Sequence, residues 1–174
     1  MGIEIVKSIF RFILLLALQG LVVNRLDLVN GQILPQVYLF AILMLPIETP
    51  RLLSLFVSFL AGILADMFTG TPGMHASACV LLGFLMPLHL KLLSPREGYE
   101  FGKKPTIQSM GLGWYLSYSI PLVLVHHLLL FYLEAFRFEW FFITFSRVLL
   151  SAAGTMILLL ISQYLIFSSR SQNR

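Results

Sequence analysis

Long apolar runs broken by short polar or turn-forming clusters set the pattern of this chain. Outer-membrane strands alternate apolar and polar positions in segments of about 10 residues. Here stretches such as Ile13 to Val23 carry apolar residues on every side instead. In hydrocarbon the backbone must satisfy its own hydrogen bonds, so such runs predict helices. The pattern predicts six spans, at about 5–24, 33–48, 51–68, 73–92, 112–134 and 143–167. Asn30-Gly31 precedes the second. Thr49 is placed to cap the third and Pro50 to occupy its first position, where a missing N–H costs nothing. Gly70 closes the third span, and Thr71-Pro72 repeats the same grammar before the fourth. The second span is short. About 16 residues at 1.5 Å each reach roughly 24 Å against a 30 Å core, so it needs local thinning or burial among neighbours.

Composition sharpens this into an all-α integral membrane protein, with a single transmembrane domain over 1–174. Of the 174 residues, 58% are hydrophobic and 11% charged, and the mean hydropathy is +0.88. Soluble domains average about 25% charged and 45–50% apolar residues. That excess sets aside a soluble enzyme, a nucleic-acid module and a disordered chain. The net charge of +4 reflects loop asymmetry rather than an affinity for nucleic acid. With the N-terminus in the cytosol, nine of the twelve Lys and Arg residues lie inside, and Arg25, Arg137 and Arg147 lie outside. The positive-inside rule therefore predicts both termini in the cytosol. Lys7 and Arg11 before the first run fit a signal peptide's n-region, but no A-x-A-like site follows Val23, so a retained helix is expected. The longest soluble segment, from about Ser94 to Gly111, reads as a solvated hinge or as a contact for a cytosolic partner or anionic lipid. The single Cys79 offers no internal disulfide.

Charged groups inside the spans ask for partners, since each costs at least about 2.5–3.5 kcal/mol at a helix centre. Asp66 lies about one turn before the end of the third span, sharing a face with Phe59 and Gly62. Arg147 lies about one turn inside the sixth, above Ser151 and Gly154. Either Asp66 and Arg147 pair, or Arg147 snorkels to the headgroups. His75 opens the fourth span, His89 ends it, and His126 and His127 sit in the fifth. Adjacent helical residues diverge by about 100°, so His126 and His127 cannot readily share an ion, although Tyr115, Ser119 and His126 form a stripe. Hydrogen-bonded histidines between helices are the simpler expectation. G-x-S-x-G, a phosphate-binding G-x-x-x-x-G-K-[ST] and H-E-x-x-H do not occur. The residues thus point to no catalytic, cofactor or metal site.

The run Gly62-Ile-Leu-Ala-Asp66-Met-Phe-Thr-Gly70-Thr-Pro-Gly73-Met-His75-Ala76 resembles the signature of the bacterial rod shape-determining MreD family, with its G-x-x-x-D helix end, short turn and Gly-x-His-Ala helix start. Gln19, Pro35, Leu45-Pro46, the stretch from Pro46 to Arg51, Trp114, His126-His127 and Leu133 to Phe136 extend the resemblance over nearly the whole chain. The resemblance implies a non-enzymatic subunit of the cell-elongation machinery in the cytoplasmic membrane. Its fold would be similar to the substrate-binding subunits of energy-coupling-factor transporters. Its implied partners are membrane lipids and the scaffold protein MreC, and through MreC the MreB filaments, the RodA glycosyltransferase and a penicillin-binding transpeptidase. The shared topology and the cluster of Asp66, His75, His126, His127 and Arg147 keep a second reading open, a small-molecule-binding subunit of a vitamin-type transporter. Small residues at Gly62, Ala65, Gly70, Gly73, Ala76 and Ala78 let two helices meet closely, for the chain's own fold or for a partner.

Overall fold

A computed structural model describes residues 2–25, 32–136 and 141–168, and among them every regular element is helical. The order is α1 (Gly2–Leu21), a single 3-10 turn (Val23–Arg25), α2 (Leu39–Leu43), α3 (Arg51–Thr69), α4 (Met74–Leu92), α5 (Ile107–Met110), α6 (Leu112–Ala135) and α7 (Phe141–Ser168). Arg51–Thr69, Met74–Leu92, Leu112–Ala135 and Phe141–Leu165 are each long and apolar enough to cross a membrane. Their polarity is inverted relative to a water-soluble bundle. Leu52, Phe56, Met67, Phe142 and Ile157 face outward, while Gln19, Ser54, Asp66, His126, Ser151 and Gln163 are buried. Hydrocarbon outside and hydrogen bonds inside are what a helical membrane protein requires.

The expected helix over 33–48 is not formed as such; only Leu39–Leu43 is helical. Pro35 has no N–H and disfavours a helical Leu34, so a helix cannot start before it. Instead the chain descends beside α7. The Leu34 N–H donates to Ser151 Oγ at 3.0 Å, the Gln36 N–H to Thr155 Oγ1 at 2.9 Å, and Gln163 Nε2 reaches Met44 Sδ at 3.1 Å. From Ser151 to Gln163 is about 18 Å along a helix. At its lower end Glu48 Oε1 accepts the Gly102 N–H at 2.6 Å, and the Ile47 N–H meets the Lys103 carbonyl at 3.4 Å. Residues 35–40 are buried throughout, among the neighbouring helices.

The helix boundaries correct two further expectations. Thr49 does not cap α3; its hydroxyl turns back onto the Pro46 carbonyl at 2.6 Å, and Pro50 stands at the N-cap. Gly70 does close α3, with φ of 69° and its N–H on the Asp66 carbonyl at 2.8 Å. Thr71 and Pro72 do not open α4, which begins after Gly73 at φ of 87°, a left-handed conformation that favours glycine.

Prolines inside α4 and α6 leave carbonyls without intrahelical partners, because a proline at position i cannot serve the carbonyl at i−4. Both freed carbonyls are met from a neighbouring helix. Gly83, four before Pro87, accepts from Ser54 Oγ at 3.1 Å, and Ser117, four before Pro121, is met by His89 Nε2 at 2.9 Å. Near the same end Trp114 and Tyr118 stack with centroids 5.2 Å apart, and Tyr99 meets Trp114 edge-on. Burial raises the Tyr99 phenol above its usual range, keeping it protonated to donate to the Leu90 carbonyl at 2.9 Å.

Candidate functional site

Apart from His89, which meets the Ser117 carbonyl, the histidines and charged residues singled out in the sequence gather around the α3–α4 turn and the segment from Gln32 to Tyr38, which is buried from Pro35 onward. Asp66 is the first anchor. Its carboxylate reaches out of α3 to the start of α4, where Oδ2 accepts the N–H groups of Gly73 at 2.9 Å and Ala76 at 3.1 Å, and Oδ1 accepts that of His75 at 2.9 Å. The Thr71 hydroxyl adds a fourth bond at 3.2 Å. The first N–H groups of a helix lack intrahelical partners, and their dipoles attract negative charge. One helix thus supplies the N-terminal cap of the next.

Asp66 and Arg147 are not an ion pair. Arg147 lies 3.4 Å from Glu134 Oε2, and its guanidinium sits 4.7 Å from the Phe131 ring centroid. The reason is geometric: Asp66 is committed to the turn, and Glu134 closes α6 beside the start of α7, within reach of the arginine. The pair is part-exposed and weak by nature.

Gly62 is where α3 and α4 touch. A Cβ there would come within 2.6 Å of the His75 carbonyl oxygen and 2.7 Å of the Ala76 nitrogen. Gly70 and Gly73, in contrast, have open space and are needed for their positive φ angles. Gly62, Gly70 and Gly73 therefore answer two separate demands, close packing and turn geometry.

The histidines are tied to different elements. Tyr38, fully buried, hydrogen-bonds His75 Nδ1 at 3.0 Å and His126 Nε2 at 3.1 Å, with Cys79 Sγ at 3.6 Å from its hydroxyl. His127 turns to α7. Its Nδ1 lies 2.9 Å from the Val123 carbonyl, which can only accept, so Nδ1 carries the hydrogen. Its Nε2 lies 3.1 Å from the Thr155 hydroxyl, which also donates to the Ser151 carbonyl at 2.9 Å and accepts the Gln36 N–H. His126 and His127, though adjacent, serve separate networks. Among the described residues, no group of three or more His, Cys, Asp or Glu is placed to hold a metal ion.

Gln19 completes the arrangement. Its Oε1 accepts the Val37 N–H at 2.6 Å, while Nε2 donates to the Pro35 carbonyl at 3.0 Å and to Asn24 Oδ1 at 2.7 Å. A side-chain amide here imitates a neighbouring strand, offering an acceptor and a donor to alternate backbone groups. Ser151 and Thr155 offer acceptors to alternate N–H groups from α7, and Gly154 lets the chain approach, its missing Cβ lying 3.3 Å from Pro35 Cγ. Reading the residues alone missed the roles of Tyr38, Thr155, Ser54 and Glu134. Pro35 and Pro87 were the available signals: a proline in an apolar run implies backbone groups that some other side chain must serve.

No family model, no curated protein and no solved structure matches this chain.

Proposed function

We propose that this chain is a non-enzymatic scaffold of the bacterial cell-elongation complex, of the kind the MreD resemblance implies. It would lie in the cytoplasmic membrane with both termini in the cytosol and six crossings, the second being the largely non-helical segment from Gln32 to Glu48. Its task is to hold one arrangement of MreC, and through it of MreB, RodA and the penicillin-binding transpeptidase, so that binding shifts a population of partner states. The observation that carries this reading is the use to which the buried polar groups are put. Asp66 caps α4, His75 and His126 flank Tyr38, and His127 and Gln19 hold the buried segment. Each is engaged in fixing shape, which suits a protein whose product is a surface. The Gly62–Ala76 hairpin, where the resemblance is densest, is also the closest helix approach described at a signature glycine.

The test is capture from native bacterial membranes through a tag on the cytosolic side. Recovery of MreC and RodA in stoichiometric amounts is the expected result. Recovery of ATPase subunits without MreC would overturn the scaffold reading in favour of a transport subunit.

A further inference from the structure

Phe101, 92% exposed, is the most exposed large apolar side chain among the described residues, yet it lies outside the long apolar helices. It stands at the corner of a turn closed by the Lys103 N–H on the Glu100 carbonyl at 3.2 Å. Its neighbours tie that turn to the ends of α3, α4 and α6. The Gly102 N–H donates to Glu48 Oε1 at 2.6 Å, just before α3 begins at Arg51. The Tyr99 hydroxyl donates to the Leu90 carbonyl, close to the end of α4 at Leu92. The Tyr99 ring meets that of Trp114, in the first turn of α6, with centroids 6.0 Å apart. Two residues of chain reach at most about 7 Å, so Phe101 stays near the level of those helix ends. For a bilayer that these helices cross, that level is the headgroup layer, where aromatic rings collect. The charge around it has a sign. Lys103 is held by Glu100, the neighbouring Glu48 and Arg51 offset each other, and Lys91, Arg96 and Lys104 outweigh Glu97. Lys91 and Arg96 are exposed, as is Leu92 between them.

We propose that Phe101 and the basic residues beside it form a lipid-docking surface. The ring is seated at the boundary between headgroups and acyl chains, and the cations rest on anionic headgroups of the same leaflet. The loop is then neither a solvated hinge nor a free arm. An exposed phenyl ring gains by leaving water. Lys and Arg side chains reach headgroup phosphates from just outside the hydrocarbon. Because the turn is already fastened to Glu48, Leu90 and Trp114, little chain entropy is lost when the ring inserts. The proposal rests on the crossing of a bilayer by these helices, not on what the chain assembles with.

Phe101→Trp combined with Trp114→Phe and Trp140→Phe leaves position 101 as the chain's only tryptophan. The full chain is reconstituted in phosphatidylcholine vesicles with or without phosphatidylglycerol. Its emission is then quenched either by lipids brominated high on their acyl chains or by acrylamide in the water. The expected result is blue-shifted emission, strong quenching by the brominated lipid and weak quenching by acrylamide. Phosphatidylglycerol should strengthen the lipid quenching, and adding Lys91→Gln and Arg96→Gln should abolish that gain. Emission at the wavelength of free tryptophan in water, with no quenching by brominated lipid, would overturn the proposal and leave the ring open to a soluble protein. Lipid quenching indifferent to phosphatidylglycerol would overturn the anionic preference. The unaltered protein in nanodiscs gives a second readout that needs no variant to fold. There the Phe101 ring should show nuclear Overhauser cross-peaks to lipid acyl chains, and cross-peaks to water alone would contradict the seating.

Discussion

The α3–α4 hairpin and the segment from Gln32 to Tyr38 face one problem, peptide groups in a dry interior, and answer it oppositely. The hairpin keeps nearly all its backbone bonds within two helices; Ser54 serves the one carbonyl freed by Pro87, and at the turn one carboxylate serves three N–H groups within ten residues of itself. The buried segment has no helix of its own before Leu39 and borrows partners from Gln19 on α1 and from Ser151 and Thr155 on α7, up to 119 residues away. The hairpin is a local design, sensitive to single atoms of space and one charge. The segment is a distributed design, held by several neutral side chains at once. Local arrangements fail sharply, whereas distributed ones fail by stages.

The largest effect is therefore expected at Asp66. Asp66→Ala strips the carboxylate from two buried N–H groups and a part-buried one and should lower stability by about 2–4 kcal/mol, with Asp66→Asn intermediate because one acceptor oxygen remains. Chemical unfolding in mixed micelles measures this. An unchanged Asp66→Ala would mean that the turn does not depend on the cap.

Next in size is Gln19→Leu, at about 2–3 kcal/mol, since it leaves the Val37 N–H and the Pro35 carbonyl unpaired. Its combination with Thr155→Val distinguishes the two designs. Both residues clamp the same segment, so once one clamp is lost the second should cost less, and the double change should fall short of the sum. Asp66→Ala combined with Thr155→Val touches both regions and should be additive within about 0.5 kcal/mol. The reverse pattern would erase the distinction.

Gly62→Ala should cost about 1–3 kcal/mol, because the new methyl meets backbone, which cannot rotate away. Gly73→Ala should act through φ alone, at about 1 kcal/mol. Under the proposed scaffold role, equal recovery of MreC by both variants, normalised to protein in the membrane, would assign these glycines to the fold and not to the partner surface. Selective loss with Gly62→Ala would place the partner on the hairpin. The smallest effect is expected at Arg147→Gln. A part-exposed pair with Glu134 should contribute under about 1 kcal/mol, and Asp66→Ala should have the same cost with or without it.

What could be read from the residues follows the same division. Helices α3, α4, α6 and α7 were legible because each is a long apolar run with punctuation beside it, as at Gly70. That Gly62, Asp66, Gly70, Gly73 and His75 lie at one helix–turn–helix junction was legible too, since they fall within fourteen positions. The partner of Asp66 was not, because a carboxylate does not declare whether it serves a cation or a row of amides. The segment after Asn30 misled most. Its apolar composition suits any buried conformation, and periodicity does not separate a buried helix from a buried extended chain. Pro35 argued against a helix, but the argument needs Gln19 and Thr155 as partners, and no local pattern links them.

The most direct test of this division is amide hydrogen exchange at Leu34, Gln36 and Val37, followed by NMR in lipid nanodiscs together with the backbone chemical shifts. The expected result is extended shifts at Leu34 and Gln36 with slow exchange. Protection at Val37 should then fall first in Gln19→Leu, and that at Gln36 first in Thr155→Val. Helical shifts running from Ile33 through Glu48, or fast exchange at all three amides in the unaltered protein, would contradict it.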